Sequence, residues 1–310
     1  MPKPFRFAVQ TSNAPDGKAW RDKARKVEDL GYSTLYIPDH FGDQWGPLVA
    51  LTVAAEATEK LNVGSLVFDN DYRHPVVLGK EIATLDLVSD GRVEFGIGAG
   101  WMKSDYDESG MAYDEPGVRI DRMVEGLSVM KQLWRDGSAT LAGEHYTVTN
   151  ASGTPRPASA GGPKIVIGGG GKRVLSIAAQ EADIIGVNPN LKAGYVGPEV
   201  AATTTATIYR KRIEWIRDAA GDRFDDLELQ CLTFLVQFTD DPQALAEQFA
   251  PLFSLSPDEL LQVPLGLVGT VDGMIETLQQ RREEYGFSYV VVHEPEMEQF
   301  AEIVAKLAGT

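Results

Sequence analysis

Asp39 and His40 stand side by side, and their types suit proton chemistry. Histidine changes charge near neutral pH, and a neighbouring carboxylate can set which ring nitrogen carries the proton. At the mouth of a pocket the pair would pass a proton to or from a substrate. The ordinary alternative is a helix-capping Asp beside a packed His. A second stretch, Gly168-Gly169-Gly170-Gly171-Lys172-Arg173, stands between an apolar run and a helical pattern. Consecutive glycines let backbone N–H groups converge on one anion at a helix start, and Lys172 and Arg173 add positive charge. It reads as a phosphate cradle, or more plainly as a flexible turn. Ser65, small and polar in an apolar strand, marks either a bulge that pushes backbone toward a flat ring or an unremarked buried position. Phe41, Trp45, Trp101, Tyr106 and Tyr113 supply aromatic surface for stacking on a planar substrate or for packing a lid. His74 precedes Pro75 and orders its loop, His145 lies in a polar segment, and His293 ends a strand-like run. The four histidines lack metal-ligand spacing, so no metal is expected, and no G-x-S-x-G elbow supports a hydrolase.

Strand-like and helical patterns alternate along the chain and must hold these residues in place. Strands are expected at 5–10, 33–38, 61–68, 92–97, 165–167, 183–187, 227–238 and 288–293, from apolar alternation or short apolar runs. Helices are expected at 18–30, 47–60, 75–88, 118–134, 173–180, 198–220, 271–285 and 295–307. The 118–134 helix has a clear stripe of Ile120, Met123, Leu127, Met130 and Trp134. Residues 101–116 read as a long polar loop, 138–163 as a surface insertion, and 242–262 as a helical segment broken at Pro257. Eight parallel strands with crossover helices close as a (β/α)8 TIM barrel, here a single α/β domain over 1–310, with its site at the C-terminal strand ends. Those ends carry Asp39-His40, residues 69–74, residues 98–106, the glycine run, Asn188 and His293. An open doubly wound sheet would want G-x-G-x-x-G after the first strand. Gly96-Ile97-Gly98-Ala99-Gly100 comes late and leads into the polar loop.

Composition narrows the partners. A net charge of -16 argues against nucleic acid or an anionic membrane, so an anionic ligand must be held by local groups. Cys231 is the single cysteine, which rules out an intrachain disulfide. No apolar run approaches the roughly 20 residues of a membrane span, and no signal-peptide core follows the first five residues, so a cytoplasmic protein acting on a small molecule is expected.

Three motifs then bear on family. RHPVVLGKEIATLDLVSDGRVEFGIGAGW over 73–101, R-x-x-x-x-x-E-G-L-x-V-M-K-Q-L-W over 119–134 and PKIVIGGGGKRVLSIAAQEADIIG over 163–186 together resemble the bacterial luciferase-like monooxygenase superfamily. The resemblance covers nearly the whole chain. It implies a (β/α)8 barrel with an insertion, a flavin-type cofactor at the top face and a homodimer. Pro38-Asp39-His40-Phe41 is similar to the S-D-H-F of the branch that uses the deazaflavin coenzyme F420, more than to the FMN branch. That likeness implies His40 as the proton-transfer residue and Asp39 as a cofactor contact. It also implies a non-proline cis peptide in a strand-three bulge, matched to Ser65-Leu66, and further cofactor contacts from Ala99, Gly100, Ser104, Ile167, Gly168, Gly169 and Gly170. Sugar-phosphate dehydrogenases of the branch carry a glutamate just after the strand-four glycines, where this chain has Trp101, while Trp45 matches a tryptophan kept beside the histidine. The exchange implies a less polar, unsaturated or carbonyl substrate against Trp45 and Trp101. The expectation is an F420-dependent oxidoreductase moving a hydride at the deazaflavin C5. The alternatives are an FMN-dependent monooxygenase and a non-catalytic flavin-binding protein.

Overall fold

Short apolar runs become strands buried on both faces, as parallel sheets covered by helices require. In the computed structural model, which describes residues 2–253 and 255–310, the barrel strands are Arg6–Gln10, Thr34–Ile37, Asn62–Ser65 continued by Phe68–Asp69, Val93–Gly98, Lys164–Gly169, Ile184–Val187, Glu228–Leu232 and Phe287–His293. They hydrogen-bond in the order third, second, first, eighth, seventh, sixth, fifth, fourth, and the fourth also pairs with the third. The sheet therefore closes on itself as the expected (β/α)8 barrel. Among the described residues, no helix is long and apolar enough to cross a membrane.

The chain divides into two compact units. One comprises Thr11–Glu28 and Thr34–Ile167. Its core gathers Trp20, Leu51, Leu78, Phe95, Met123 and Trp134 beneath the helices Pro47–Ala57, Pro75–Val88 and Pro116–Asp136. Each of these helices has proline in its first turn, where no intrahelical N–H is needed. The insertion at 138–163 contains an antiparallel hairpin, Ser138–Ala142 with Thr147–Ser152. Its tip is tied down because the Glu125 carboxylate accepts the N–H groups of Glu144, His145 and Tyr146 at 2.8, 2.9 and 3.1 Å.

The other unit comprises Met1–Gln10, Asp29–Ser33 and Gly168–Thr310, with Phe7 packed edge-on against Phe300 at 5.8 Å and Tyr209 against Phe287 at 6.2 Å. Here the structure corrects two expected elements. The 198–220 helix is broken into Pro198–Ala201 and Ala206–Ala220. The Thr203 and Thr204 hydroxyls bond back to the Val200 and Ala201 carbonyls, and Thr205 caps the second helix. The 227–238 strand also divides. Glu228–Leu232 stays in the barrel, while Leu235–Phe238 pairs in parallel with Gly266–Gly269, a strand that the sequence reading lacked. The switch is made where the Thr233 N–H donates to Val291 and the Phe234 N–H to Leu265. The 242–262 segment resolves into Pro242–Phe249, a short turn Ala250–Phe253 and Pro257–Leu261. Ser256 and Glu259 form a capping box on the last piece, and residue 254 lies outside the described residues.

Candidate active site

Strand three decides how the first unit presents its chemistry. Ser65 still pairs with Ile37, and the Leu66 N–H donates to the Ile37 carbonyl at 3.1 Å. Pairing then lapses until Phe68 and Asp69 align with Ile97 and Gly98. The irregularity read at Ser65 is therefore present. The non-proline cis peptide lies at Leu66-Val67, one bond beyond the expected Ser65-Leu66, which is still held in the ladder. Val67 is pressed toward strand four, where a Cβ on Gly98 would come within 2.7 Å of its side chain. Ser65 is fully buried, and its hydroxyl has no hydrogen-bond partner among the described residues.

His40 follows strand two, and its side chain is 19% exposed, open enough to meet a ligand. Its Nδ1 lies 2.6 Å from Oδ2 of Asp105, and its ring stands edge-on to Trp101 with centroids 5.6 Å apart. Nε2 makes no hydrogen bond among the described residues. Asp105 also accepts the Tyr72 hydroxyl at 3.0 Å and, at a longer 3.4 Å, the Phe41 N–H. Sequence reasoning offered Asp39 as the carboxylate that sets the imidazole, and this is corrected. Neighbouring residues on extended backbone point to opposite sides. Asp39 accordingly turns inward, where it accepts both terminal nitrogens of Arg73 at 2.6 and 3.1 Å and the Asp69 N–H at 3.1 Å.

Asp105 was hidden in what the sequence presented as a polar loop. Residues 103–109 form the helix Lys103–Ser109, whose only inward residues are Asp105 and Tyr106. With so little apolar surface it shows no stripe. The signal available was the i,i+4 spacing of Lys103 and Asp107, which meet at 2.6 Å.

Acid groups crowd this end, and the protein balances most of them. Arg73 takes Asp39, and Arg122 takes Asp71 at 3.0 Å as well as Asp114. Among the described residues no cation pairs with Asp69; it receives the Asp71 N–H at 2.9 Å and the Tyr106 hydroxyl at 3.1 Å. Burial pushes its carboxyl up to about 7; the Asp71 N–H opposes the rise, and the Asp71 and Asp39 charges add to it. Tyr106 has one proton for both Asp69 and Asp71, each 3.1 Å away, and a proton kept on Asp69 completes that string. Burial, reinforced by nearby carboxylates, drives the Tyr72 and Tyr106 phenols far above the usual tyrosine range, so both remain donors at neutral pH.

The mouth of strand four is pinned from outside. Buried Arg119, on the helix Pro116–Asp136, donates to the Gly100 carbonyl at 3.0 Å and stacks over Tyr113 at 4.1 Å. Tyr113 donates to the Trp101 carbonyl at 3.0 Å. Gly100 has φ +71, and a Cβ there would collide with the Tyr106 hydroxyl. Ala99, Gly100 and Trp101 are half-buried, whereas Ser104 is exposed on the short helix. Trp45 is half-buried and packs at 5.4 Å on Trp20.

In the other unit, Gly168 and Gly169 end strand five, and Gly171 opens the helix Lys172–Glu181 without a side-chain cap. Buried Arg212 donates to the Gly170 carbonyl at 3.0 Å and to the Thr203 carbonyl at 2.8 Å. The Asn188 N–H donates to the Gly169 carbonyl at 2.9 Å. Lys172 and Arg173 are exposed on the first turn of the helix. Burial holds His293 below the usual histidine range, and its ring meets Phe234 at 6.1 Å.

The arrangement in the first unit suits a flat ring. An irregular strand offers backbone and an unpartnered buried hydroxyl, and an imidazole with one committed nitrogen stands by an indole. Comparison with known proteins bears on the family and the fold. The family model described as luciferase-like monooxygenase matches residues 3–286. An F420-dependent glucose-6-phosphate dehydrogenase of Kineococcus radiotolerans is 25% identical over 313 residues, covering 90% of this chain and 87% of the relative. The same-named protein of Amycolatopsis mediterranei is 27% identical over 168 residues, 52% of this chain, and the match spans half of that relative's length, 50%. Among solved structures, coenzyme F420-dependent tetrahydromethanopterin reductase of Methanopyrus kandleri superposes with a TM-score of 0.78 at 18% identity, covering 98% of each chain, which is a likeness of fold.

Proposed function

We infer the function from one premise: the chain belongs to the luciferase-like monooxygenase family. It is an oxidoreductase that works with coenzyme F420, a cofactor supported by the F420-dependent dehydrogenases among its relatives. Bound coenzyme supplies the carbon centre, C5 of the deazaflavin, that gives or takes the hydride. The observation that carries the reading is His40, with Nδ1 committed to Asp105 and Nε2 without a partner among the described residues beside Trp101. Nε2 passes the substrate proton. The backbone of residues 65–67 backs the ring, with Ser65 and Leu66 as its neighbours and Val67 nested against Gly98. Ala99 and Gly100 complete that side, on a loop held by Arg119 and Tyr113. Asp39 serves indirectly, fixing Arg73 and the start of residues 69–73. Ile167, Gly168, Gly169 and Gly170 are proposed to receive the anionic part of the coenzyme through backbone N–H groups, with Lys172 and Arg173 supplying charge.

The substrate is proposed to be small and weakly polar, a carbonyl, alcohol or unsaturated compound, packed against Trp101 and Trp45. Arg73 and Arg122 are committed to carboxylates, and Arg119 donates to a backbone carbonyl and stacks on Tyr113, so none of the three is set aside for a substrate phosphate. As the family likeness implies, the working form is proposed to be a homodimer.

His40→Ala tests the assignment. Coenzyme affinity is expected to stay within about threefold while turnover of a reducible enone, aldehyde or secondary alcohol falls at least about 100-fold, the usual worth of a positioned acid or base. Undiminished turnover would remove His40 from the chemistry. A protein that binds coenzyme yet turns over none of these classes would be a flavin-binding protein.

A further inference from the structure

The surroundings of His40 carry a second assignment, which deepens the functional reading and rests on it for its catalytic meaning. We propose that Asp105, itself held by Tyr72, is the positioning residue that keeps neutral His40 in the tautomer with its proton on Nδ1 and an open lone pair on Nε2.

Asp105 is 3% exposed, and its two oxygens meet three groups: His40 Nδ1 at 2.6 Å, the Tyr72 hydroxyl at 3.0 Å and the Phe41 N–H at 3.4 Å. Two of the three act as donors here. The backbone N–H of Phe41 can only donate. The Tyr72 phenol stays protonated, and Asp105 is the acceptor within its reach. A carboxylate that already accepts from two donors completes its shell by accepting a third, so Nδ1 is the nitrogen that donates. Among the described residues, neither Lys nor Arg pairs with Asp105 and His40 is its ion-pair partner, so the carboxylate faces the imidazole without a competitor. The ring's orientation is fixed twice over: Asp105 grips one edge, and Trp101 stands at 86° to its plane. Tyr72 is itself stacked on Phe41 at 4.5 Å, so the residue following His40 packs directly on the phenol that orients Asp105. What remains without a partner among the described residues is Nε2. In the neutral enzyme it takes the proton of a substrate hydroxyl, and in the reverse direction it returns that proton to the oxygen.

The test is the tautomer itself, read by long-range 15N–1H correlation on the labelled full chain without coenzyme, at alkaline pH where histidine is neutral. The His40 signals are assigned by their loss in His40→Gln. The expected spectrum has a protonated Nδ1 and an unprotonated Nε2, and Asp105→Asn is expected to convert it to a mixture or to the other tautomer. A wild-type protein with the proton on Nε2, or a tautomer unchanged in Asp105→Asn, overturns the proposal. With coenzyme and substrate, Asp105→Asn is expected to lower kcat by about 1,000-fold while coenzyme affinity holds, as wrong-tautomer variants do elsewhere. Asp105→Glu should recover part of that loss and Tyr72→Phe should show a smaller one. A kcat in Asp105→Asn within about threefold of wild type also overturns it. Failure of the wild-type protein to bind F420 would sink the cofactor reading while leaving the tautomer result to decide the role of Asp105.

Discussion

Two buried arginines do the same job in the two units, and what surrounds each of them differs. Arg119 reaches the carbonyl of Gly100 and Arg212 the carbonyl of Gly170, both at 3.0 Å. Around Gly100 lie side chains with protons to trade, among them Asp69, Asp71 and Tyr106. Around Gly170 lies backbone: a Cβ there would strike the Pro189 carbonyl, and the next contacts are main-chain bonds. The first region is built to hold proton positions and the second to hold a main-chain shape. A substitution should therefore disturb chemistry in one and binding in the other.

The largest effects come from giving either enclosed glycine a methyl group. Gly100→Ala combines a positive φ with a collision against Tyr106, and Gly170→Ala collides with fixed backbone. Each is expected to lose about 3 kcal/mol in urea unfolding, from backbone strain or displaced packing. The comparison predicts different residual defects. In folded Gly100→Ala turnover should fall further than coenzyme binding, and in Gly170→Ala the reverse. Equal loss of both in both variants would erase the distinction.

A smaller effect concerns Asp69, whose carboxyl is pushed up to about 7 in the fold. An unfolded aspartate titrates near 3.9. The native state therefore binds the extra proton between roughly pH 4 and 7, stability falls as pH rises through that window, and the deficit persists above it. Asp69→Asn removes the group, and it should gain about 2 kcal/mol on wild type at pH 6 relative to its difference at pH 4. Denaturant unfolding at several pH values checks this. A difference between the two proteins that does not change with pH would mean that Asp69 is not the buried acid. The smallest effect belongs to Gly171, which has open space at its Cβ position. Gly171→Ala should change stability by no more than about 0.5 kcal/mol and leave coenzyme binding alone.

The sequence was most legible where local signals set the structure. The helix Pro75–Val88 stands between the expected bounds because Pro75 opens it and His74 caps it. Val271–Tyr285 does so because Thr270 caps it and Gly286 stops it in the left-handed conformation. The bulge near Ser65 was legible through a family likeness, but its cis bond was misplaced by one residue because ladder pairing at Leu66 depends on Ile37, which is far away in sequence. Long-range partners account for the other misses. Asp105 and His40 are 65 residues apart, and neither Asp39 beside His40 nor the polar composition around Asp105 announces the contact. The apolar run at 227–238 likewise cannot reveal that its second half answers to Gly266–Gly269.

Cofactor identity bears most directly on the whole account, and equilibrium fluorescence titration of the purified chain with F420 and, separately, with FMN measures it. Saturable micromolar binding of F420 is expected and, for FMN, affinity at least about tenfold weaker, a difference of about 1.4 kcal/mol. Micromolar binding of FMN with no response to F420 would contradict it and make the chain an FMN-dependent member of the family.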